Sequence, residues 1–468
     1  MKPYKFASSK PLRSIRNSFH FLFETSLFSG LIVALTVAGL TQSVRAAAGA
    51  LDPTFGNRGK VLTDFGNGND SNEFAYAVAT QSDGKIVAAG YRFFGNSAEG
   101  ADMLVVRYNT DGTLDSTFGR GGEVTTDFGL TDIAQGVVIQ PDGKIVVAGQ
   151  TYGLFSVFGE FALARYNPDG SLDSSFGNRG MVTSFFGGLG CAANGLALQA
   201  DGKIVVVGEQ TVSFIFGEDG SNLDFAVARY NTDGSLDSSF GTGGLATTDY
   251  FQLSDSAGAV RIQPDGKIVV VGTSEGPASF FDFAVVRYLP NGTLDNSFGQ
   301  QGKVFTDLHT QDGEYAGAVL LQPDGKIVAG GHATTANATD PFTLIRYNGN
   351  GKVDRTFGRN GIVTINFGRV LQSVGNSGLA LQPDGKIVAV GFASGEGSSD
   401  DFLVSRILPT GQLDPSFGIR GKVTTSFGNL NGGSFATALQ PDGRIVAVGF
   451  QATTTEGVDL AVARYLVN

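Results

Sequence analysis

The phrase Gln140-Pro141-Asp142-Gly143-Lys144-Ile145-Val146-Val147-Ala148-Gly149 recurs, with small changes, from one end of the chain to the other. Pro-Asp-Gly is typical of a tight turn, because Pro presets φ, Asp can hydrogen-bond its own backbone and Gly accepts a positive φ. The residues before it, Val137 to Ile139, and the β-branched run after it are strand-like. The phrase therefore predicts a β-hairpin, and none of its residues is a chemical reagent.

The hairpin turn occurs seven times at nearly constant spacing. Its aspartates are Asp83, Asp142, Asp201, Asp265, Asp324, Asp384 and Asp442. Successive positions differ by 59, 59, 64, 59, 60 and 58 residues. Two other phrases keep the same spacing: a strand-like run that usually ends in Arg-Tyr, and Leu/Val-Asp-x-x-Phe-Gly followed by Gly-x-Val-x-Thr. The chain therefore consists of seven units of about sixty residues.

Each unit contains four strand candidates. They are an Ala-rich run before the Gln, the β-branched run after the turn, the Arg-Tyr run and the Gly-x-Val-x-Thr run. Four antiparallel strands per repeat are typical of a propeller blade. A solenoid would need a period of about 20 to 30 residues, so the spacing excludes one. We predict an all-β, seven-bladed β-propeller of four-stranded antiparallel blades.

The two ends of the chain each carry part of one unit. Leu51 to Gly56 begins a fourth-strand segment with no blade before it, and Arg464 to Asn468 ends a third strand with no fourth after it. We expect the N-terminal strand to complete the last blade and close the ring, which would remove two open sheet edges.

The repeated LDxxFG and QPDGKIVVAG phrases resemble those of the delta-60 repeat proteins, an exported bacterial family of β-propeller type. The resemblance covers residues 51 to 468 and implies the fold, but the family offers no established catalytic or binding residues to carry over. The order of phrases is also similar to that of NHL-type propellers. That similarity implies that the Ala-rich strands are innermost, around a central channel.

Residues 1–48 are predicted to be a signal peptide. A basic start (Lys2, Lys5, Lys10, Arg13, Arg16) precedes an apolar run from Leu27 to Leu40, and Val44-Arg45-Ala46 or Ala46-Ala47-Ala48 offers a small-x-small cleavage pattern. The propeller would then span residues 49–468 of a protein that is secreted, periplasmic or on the cell surface. The alternative is an uncleaved N-terminal anchor, although the run is short for a membrane span.

The net charge limits the classes of binding partner, and the cysteine content limits the disulfide bonds that can form. Removal of residues 1–48 takes away six basic residues and one acidic residue, which leaves 27 basic against 43 acidic and a net charge of −16. Such a surface repels nucleic acid and anionic lipid, so we predict neither as a partner. Cys191 is the single cysteine of the sequence, so an intrachain disulfide is excluded. We expect a monomer stabilised by packing.

The candidate ligand site lies at one end of the blades. In a meander the Gln-x-Asp-Gly-Lys and Asn-x-Asp-Gly turns share one end and barely change between units, whereas the loops at the other end vary. We call this second end the variable end, and function is predicted there. Its binding candidates are the aromatic residues Phe94, Tyr152, Phe155, Phe214 and Phe281. Such rings would stack on a glycan or hold a protein ligand, or would instead fold their own loops inward. No cofactor is predicted, although acidic residues at this end would suit Ca²⁺.

A catalytic site has weaker candidates. His309 and His332 are placed at the variable end of the fifth unit, near Asp307, Asp312 and Glu314. Together they would suit an acid-base or transition-metal site, and solvated loop histidines are the simpler interpretation.

The recurring Asp, Arg and Phe of each unit are predicted to be structural. Each Asp would cap its turn and pair with the third-strand Arg, while Phe fills the gap between blades. The first two sets are Arg107, Asp115 and Phe118, and Arg165, Asp173 and Phe176. The preferred interpretation is a non-enzymatic binding scaffold. The alternatives are a lyase or hydrolase acting on a carbohydrate or ester, and a purely structural part of the cell surface.

Overall fold

The computed structural model describes residues 47–66, 71–94, 100–129, 131–153, 156–215, 220–277, 280–308, 313–333, 341–367, 378–395, 398–428, 430–454 and 457–467. The predicted signal peptide therefore lies outside the described residues, except for its last two positions. All regular structure in these segments is β-strand. No helix in them is long and apolar enough to cross a membrane.

The strands fall into antiparallel groups of four, which confirms the predicted unit. In each group the first three strands follow one another through hairpins, and a short fourth strand pairs with the third. We number the groups as units 1 to 7. Unit 1 contains β2 (Ser71–Thr80), β3 (Ile86–Phe94), β4 (Ala101–Tyr108) and β5 (Glu123–Thr126); unit 2 contains β6 (Thr131–Ile139), β7 (Ile145–Gly153), β8 (Ser156–Tyr166) and β9 (Met181–Ser184); and unit 3 contains β10 (Gly190–Leu198), β11 (Ile204–Ile215), β12 (Gly220–Tyr230) and β13 (Leu245–Thr248). Unit 4 contains β14 (Asp255–Ile262), β15 (Ile268–Glu275), β16 (Phe281–Tyr288) and β17 (Lys303–Thr306), and unit 5 contains β18 (Glu314–Leu321), β19 (Ile327–Ala333), β20 (Phe342–Tyr347) and β21 (Ile362–Ile365). Unit 6 contains β22 (Gly378–Leu381), β23 (Ile387–Gly395), β24 (Ser398–Ile407) and β25 (Lys422–Thr425), and unit 7 contains β26 (Gly432–Leu439), β27 (Ile445–Ala452), β28 (Val458–Tyr465) and β1 (Lys60–Thr63).

The last unit combines both ends of the chain. Strand β1 pairs antiparallel with β28, with Lys60 opposite Ala463 and Thr63 opposite Leu460. The segment before β1 joins the same unit, because Gly49 N–H donates to Leu466 O at 2.8 Å and Leu466 N–H donates to Ala50 O at 2.9 Å.

The hydrophobic core lies between units rather than inside one. One cluster contains Val87 and Ala89 of unit 1 with Ile145 and Val147 of unit 2, and equivalent clusters join each following pair. A further cluster joins unit 7 to unit 1 through residues such as Val446 and Ile86. Sheets packed face to face bury the β-branched residues that the sequence places in the second and third strands.

Each unit also carries a buried Arg–Asp–Phe group. Arg107 Nε donates to Asp115 Oδ2 at 2.7 Å, and its guanidinium lies 4.6 Å from the centroid of the Phe118 ring. Asp115 Oδ1 accepts the main-chain N–H of Thr117 at 3.1 Å, as a capping residue does. Arg107 Nη1 continues to Pro168 O in the next unit at 2.6 Å. Arg165, Asp173 and Phe176 repeat the group in unit 2. Each Arg–Asp pair therefore stabilises the turn of its own unit and also connects that unit to the next one.

Candidate functional site

In the described residues, six of the seven first strands contain a β-bulge, and each bulge leaves one residue outside the regular pairing. In unit 2, Ala134 pairs with Gly149 and Gly136 pairs with Ala148, so Gln135 has no partner in the ladder. A bulge bends its strand and re-aims a side chain. A Cβ at Gly149 would lie 1.8 Å from Ile133 O, which explains why Gly ends the repeated phrase.

The bulge residues of the different units face one inner cavity. The cavity is lined by residues of all seven first strands and has a volume of about 150 Å³. Its described bulge residues are Tyr76, Gln135, Asn194, Gly258, Gly317 and Phe435. Neighbouring first strands approach closely here, since a Cβ at Gly258 would lie 2.8 Å from Ala316 O. The bulge residue therefore has an equivalent position in these units, whereas its side chain differs from unit to unit.

Arg261 adds a positive charge to the same cavity. It lies three residues after the bulge residue of β14, and its Nη1 donates to Val260 O at 2.9 Å. The side chain is exposed to solvent, and desolvation by the protein atoms around it lowers its pKa. Among the described residues that line the cavity, Arg261 is the one charged side chain. Its equivalents in the other units are Ala79, Val138, Ala197, Leu320, Ala380 and Ala438.

A cluster of six aromatic rings, which we call the aromatic wall, extends from the cavity toward the variable end. It combines rings of units 1, 6 and 7: Phe74, Tyr76, Tyr91, Phe392, Phe435 and Phe450. The Tyr76 and Phe435 rings, both at bulge positions, have centroids 4.9 Å apart. Phe435 is 8% exposed and Tyr76 is half-buried. Two rings of the wall, Tyr76 and Phe435, line the cavity.

Polar groups lie at the junction of units 3 and 4. Asn194 Nδ2 donates to Ala257 O at 3.1 Å, which joins units 3 and 4. Ser256 Oγ donates to Glu209 Oε2. Burial raises the pKa of Glu209, and the hydrogen bond from Ser256 partly offsets this. The cavity lining therefore includes the aromatic residues Tyr76 and Phe435 and the amide residues Gln135 and Asn194.

The predicted binding aromatics occupy different places. The prediction that these residues belong to loops is wrong for the four that the structure describes. They are Phe94 in β3, Tyr152 in β7, Phe214 in β11 and Phe281 in β16. Phe94 ends β3 and lies against the Arg92 guanidinium at 5.1 Å. The Phe281 ring is tilted against the Tyr315 ring, and their centroids lie 5.6 Å apart. Phe155 is outside the described residues, and the Phe214 side chain is not described.

The predicted catalytic residues are only partly brought together. Asp307 and Glu314 join Asp282, with one carboxylate oxygen of each within 4.8 Å of the others. His332 lies in β19 rather than in a loop, and its ring stacks on Tyr315 at 5.0 Å. His309 and Asp312 are outside the described residues. Asp282, Asp307 and Glu314 could hold a metal ion, and three similar groups occur elsewhere.

Sequence reasoning missed the bulge residues because it searched loops for function. The available signal was a variable residue flanked by constant small ones, as in Ala75-Tyr76-Ala77, Ala134-Gln135-Gly136 and Ala193-Asn194-Gly195. Arg261 had a similar signal, since it breaks a series of apolar equivalents.

Comparison with known proteins supports the fold. Six segments match the family model described as "Domain of unknown function (DUF5122) beta-propeller": residues 81–118, 140–176, 199–240, 263–298, 322–357 and 382–417. No curated protein matches the sequence.

Three similar solved structures show the range of proteins with this likeness. A polysaccharide lyase, Uly1, is 11% identical with a TM-score of 0.49, over 84% of this chain and 90% of that one. The Pyrococcus horikoshii acylaminoacyl peptidase is 11% identical with a TM-score of 0.44, over 85% and 52%. The β-propeller domain of the Trilobed protease from Pyrococcus furiosus is 12% identical with a TM-score of 0.42, over 85% and 96%.

Proposed function

Since this chain is a β-propeller repeat protein, we propose that it is an exported binding scaffold that holds a small carboxylate-bearing ring, such as that of an acidic sugar, in its inner cavity. The observation that carries the proposal is the position of Arg261 in a cavity that also has aromatic and amide side chains.

The proposed architecture is a closed ring of seven blades, in the manner of the delta-60 repeat proteins. A repeated contact between consecutive units supports it: the third-strand Arg donates to a carbonyl oxygen of the next unit's turn. In unit 7, Arg464 Nη1 donates to Thr110 O of unit 1. In unit 6, Arg406 Nη1 donates to Val467 O at 2.9 Å. The series thus continues through the unit that both chain ends share.

The ligand chemistry follows from the side chains around the cavity. A guanidinium binds a carboxylate through paired, charge-assisted hydrogen bonds. Aromatic rings such as Tyr76 and Phe435 stack on the apolar face of a sugar ring. The amides of Gln135 and Asn194 suit hydroxyl groups.

The cavity volume limits the size of the ligand. Pockets for drug-sized molecules have roughly 300 to 1,000 Å³, whereas this cavity has about 150 Å³. A single ring or the end of a chain fits these dimensions, with the remainder of a larger ligand lying at the variable end.

The proposed location is outside the cytoplasm, as secreted, periplasmic or surface-attached protein. The basic and apolar segments within residues 1–48 support export, and the net charge of −16 supports a solution monomer with neither nucleic acid nor anionic lipid as a partner. This charge also makes the Arg261 position unusual, because it offers an anion a local attraction within an acidic protein.

A panel of immobilised acidic and neutral oligosaccharides tests the proposed function. We expect residues 47–468 to bind uronic acid-containing members and to ignore their neutral counterparts. Arg261→Val should lose this binding, and unit 2 shows that the fold accepts Val at this position, as Val138. Arg355→Ser is the matched control, since it removes an exposed positive charge at a position where unit 1 has Ser116. Equal binding of neutral and acidic members would reject the proposal.

A further inference from the structure

Groups of three carboxylates recur at equivalent junctions between units. Each group, which we call a carboxylate trio, takes one Asp from a third strand, one Asp that follows the fourth strand, and one acid from the next first strand. The four trios are Asp64, Glu73 and Asp459; Asp102, Asp127 and Asp132; Asp224, Asp249 and Asp255; and Asp282, Asp307 and Glu314. In each trio, one oxygen from every residue lies within 4.8 Å of the others.

The trios are not a requirement of the fold. At the junction of units 2 and 3, the equivalent positions are Glu160, Phe185 and Cys191. At the junction of units 6 and 7 they are Asp401, Ser426 and Gly432. The fold therefore forms this junction without three acids, and their repeated presence elsewhere needs another reason.

Three trios contain a buried carboxylate oxygen without a hydrogen-bond donor among the described residues, on Glu73, Asp132 and Asp255. Asp255 is 0% exposed; its Oδ2 accepts the Tyr250 main-chain N–H at 2.8 Å, and its Oδ1 has no donor. Asp132 is also 0% exposed; its Oδ2 accepts the Gly129 N–H at 3.2 Å, and its Oδ1 has no donor. An unpaired buried carboxylate oxygen is costly, so a cation beside it would be favourable.

One trio shows how a cation fills such a junction. The Arg92 Nε lies 3.3 Å from Glu73 Oε1, so a guanidinium already pairs with one carboxylate of the trio of Asp64, Glu73 and Asp459. The Asp255 trio has no such ion pair among the described residues. Lys303 is nearby, but its Nζ donates to the main-chain O of Asp249 at 2.9 Å and not to a carboxylate.

We propose that the trio of Asp224, Asp249 and Asp255 and the trio of Asp102, Asp127 and Asp132 each bind one Ca²⁺ ion. All their ligand atoms are oxygens, which suits a hard cation and disfavours Zn²⁺. Ca²⁺ accepts irregular coordination completed by water and main-chain oxygens, whereas Mg²⁺ needs a near-ideal octahedron. Extracellular modules bind Ca²⁺ with dissociation constants of about 0.1 to 1 mM, which fits an exported protein.

The electrostatics agree with an ion at these junctions. Burial, followed by repulsion from Asp249 and Asp224, raises the pKa of Asp255 to about 7. Burial also raises the pKa of Asp132, to which repulsion from Asp127 contributes. These carboxylates therefore repel one another, and a cation between them would relieve the repulsion.

Equilibrium dialysis of chelator-treated protein against Ca²⁺ at pH 8 tests the proposal. Asp255→Asn should bind one Ca²⁺ fewer than the unaltered protein, and Asp132→Asn with Asp255→Asn should bind two fewer. Asp459→Asn is the matched control, because Arg92 already occupies its trio, and it should bind the unaltered number. Circular dichroism checks that each isosteric variant is folded. Unchanged stoichiometry in folded Asp255→Asn, or equal retention of Mg²⁺ at the same concentration, would overturn the proposal.

Discussion

Arg464 and Asp52 lie 412 positions apart in the sequence, and Arg464 Nε donates to Asp52 Oδ2 at 2.9 Å. In the other units the equivalent Arg and Asp are only eight positions apart, as in Arg229 and Asp237 at 2.7 Å. The same local contact therefore serves in one unit as the link between the two ends of the chain.

Replacement of Asp52 should weaken this link. Asp52→Asn leaves Arg464, which is 2% exposed, without its charged partner, and breaking a buried ion pair costs roughly 3 kcal/mol of unfolding free energy. We expect faster hydrogen exchange in β1 as well as a lower denaturation midpoint. Asp237→Asn is the control, since it breaks the same pair inside a continuous unit and should leave β1 exchange unchanged. Equal β1 exchange in both variants would show that the pair does not fasten the N-terminal strand.

The N-terminus of the exported protein is predicted to be Ala47. Ala48 O accepts the Gly418 N–H at 2.8 Å, the place that Asp169 O takes for Gly119 between units 1 and 2. Cleavage after Ala46 preserves this contact, whereas cleavage after Ala48 removes it and places a charged amine at Gly49. Intact-mass analysis of the exported protein distinguishes the two, and a chain that begins at Gly49 would contradict the prediction.

The Asp255 carboxyl predicts an unusual pH dependence in Ca²⁺-free buffer. Its pKa in the folded protein is about 7, against an ordinary value of 3.8, so the folded state holds the proton more tightly than the unfolded state. Its stabilising contribution is complete below pH 4 and is lost as the pH rises to 7. We expect Asp255→Asn to reduce this decline by roughly 3 kcal/mol, measured by denaturant unfolding between pH 4.5 and 8.

The titration of other carboxyls does not hide this effect. Asp295, whose pKa is lowered to about 2 by the Ser297 hydrogen bonds and Arg287 despite its burial, changes stability only at more acidic pH. Glu73, whose pKa is raised to about 7, acts with the same sign in both proteins and cancels in the difference. Parallel pH profiles for the variant and the unaltered protein would refute the prediction.

The aromatic wall should contribute to ligand binding. Phe435→Gln places in unit 7 the residue that unit 2 carries at its bulge, Gln135, so the backbone accepts it. Loss of one stacking ring should weaken binding of an acidic sugar about tenfold, because an aromatic contact is worth about 0.5 to 1.5 kcal/mol beyond its area. Phe93→Ser, at a ring that is 37% exposed, is the control for general loss of an aromatic residue. If calorimetry gave Phe435→Gln an undiminished affinity for the acidic sugar, the aromatic wall would not be part of the binding site.

The sequence predicted the unit well because its turns are chemically explicit. Asp142-Gly143 and its equivalents fix hairpins, and the strand after them must bury Ile145 and Val147. The bulge at Gln135 was not predicted, because a bulge depends on pairing between two strands and not on a residue type. The trio of Asp224, Asp249 and Asp255 was also missed, since Asp224 and Asp255 are 31 positions apart and meet only where two units pack together.

The most direct test of the binding account is the affinity of glucuronate for the unaltered protein and for Arg261→Val, measured by calorimetry at pH 7 with glucose as the neutral comparison. The account predicts saturable binding of glucuronate, at least a tenfold loss in Arg261→Val with an unchanged melting temperature, and no binding of glucose. Equal affinity of the two proteins for glucuronate would contradict it.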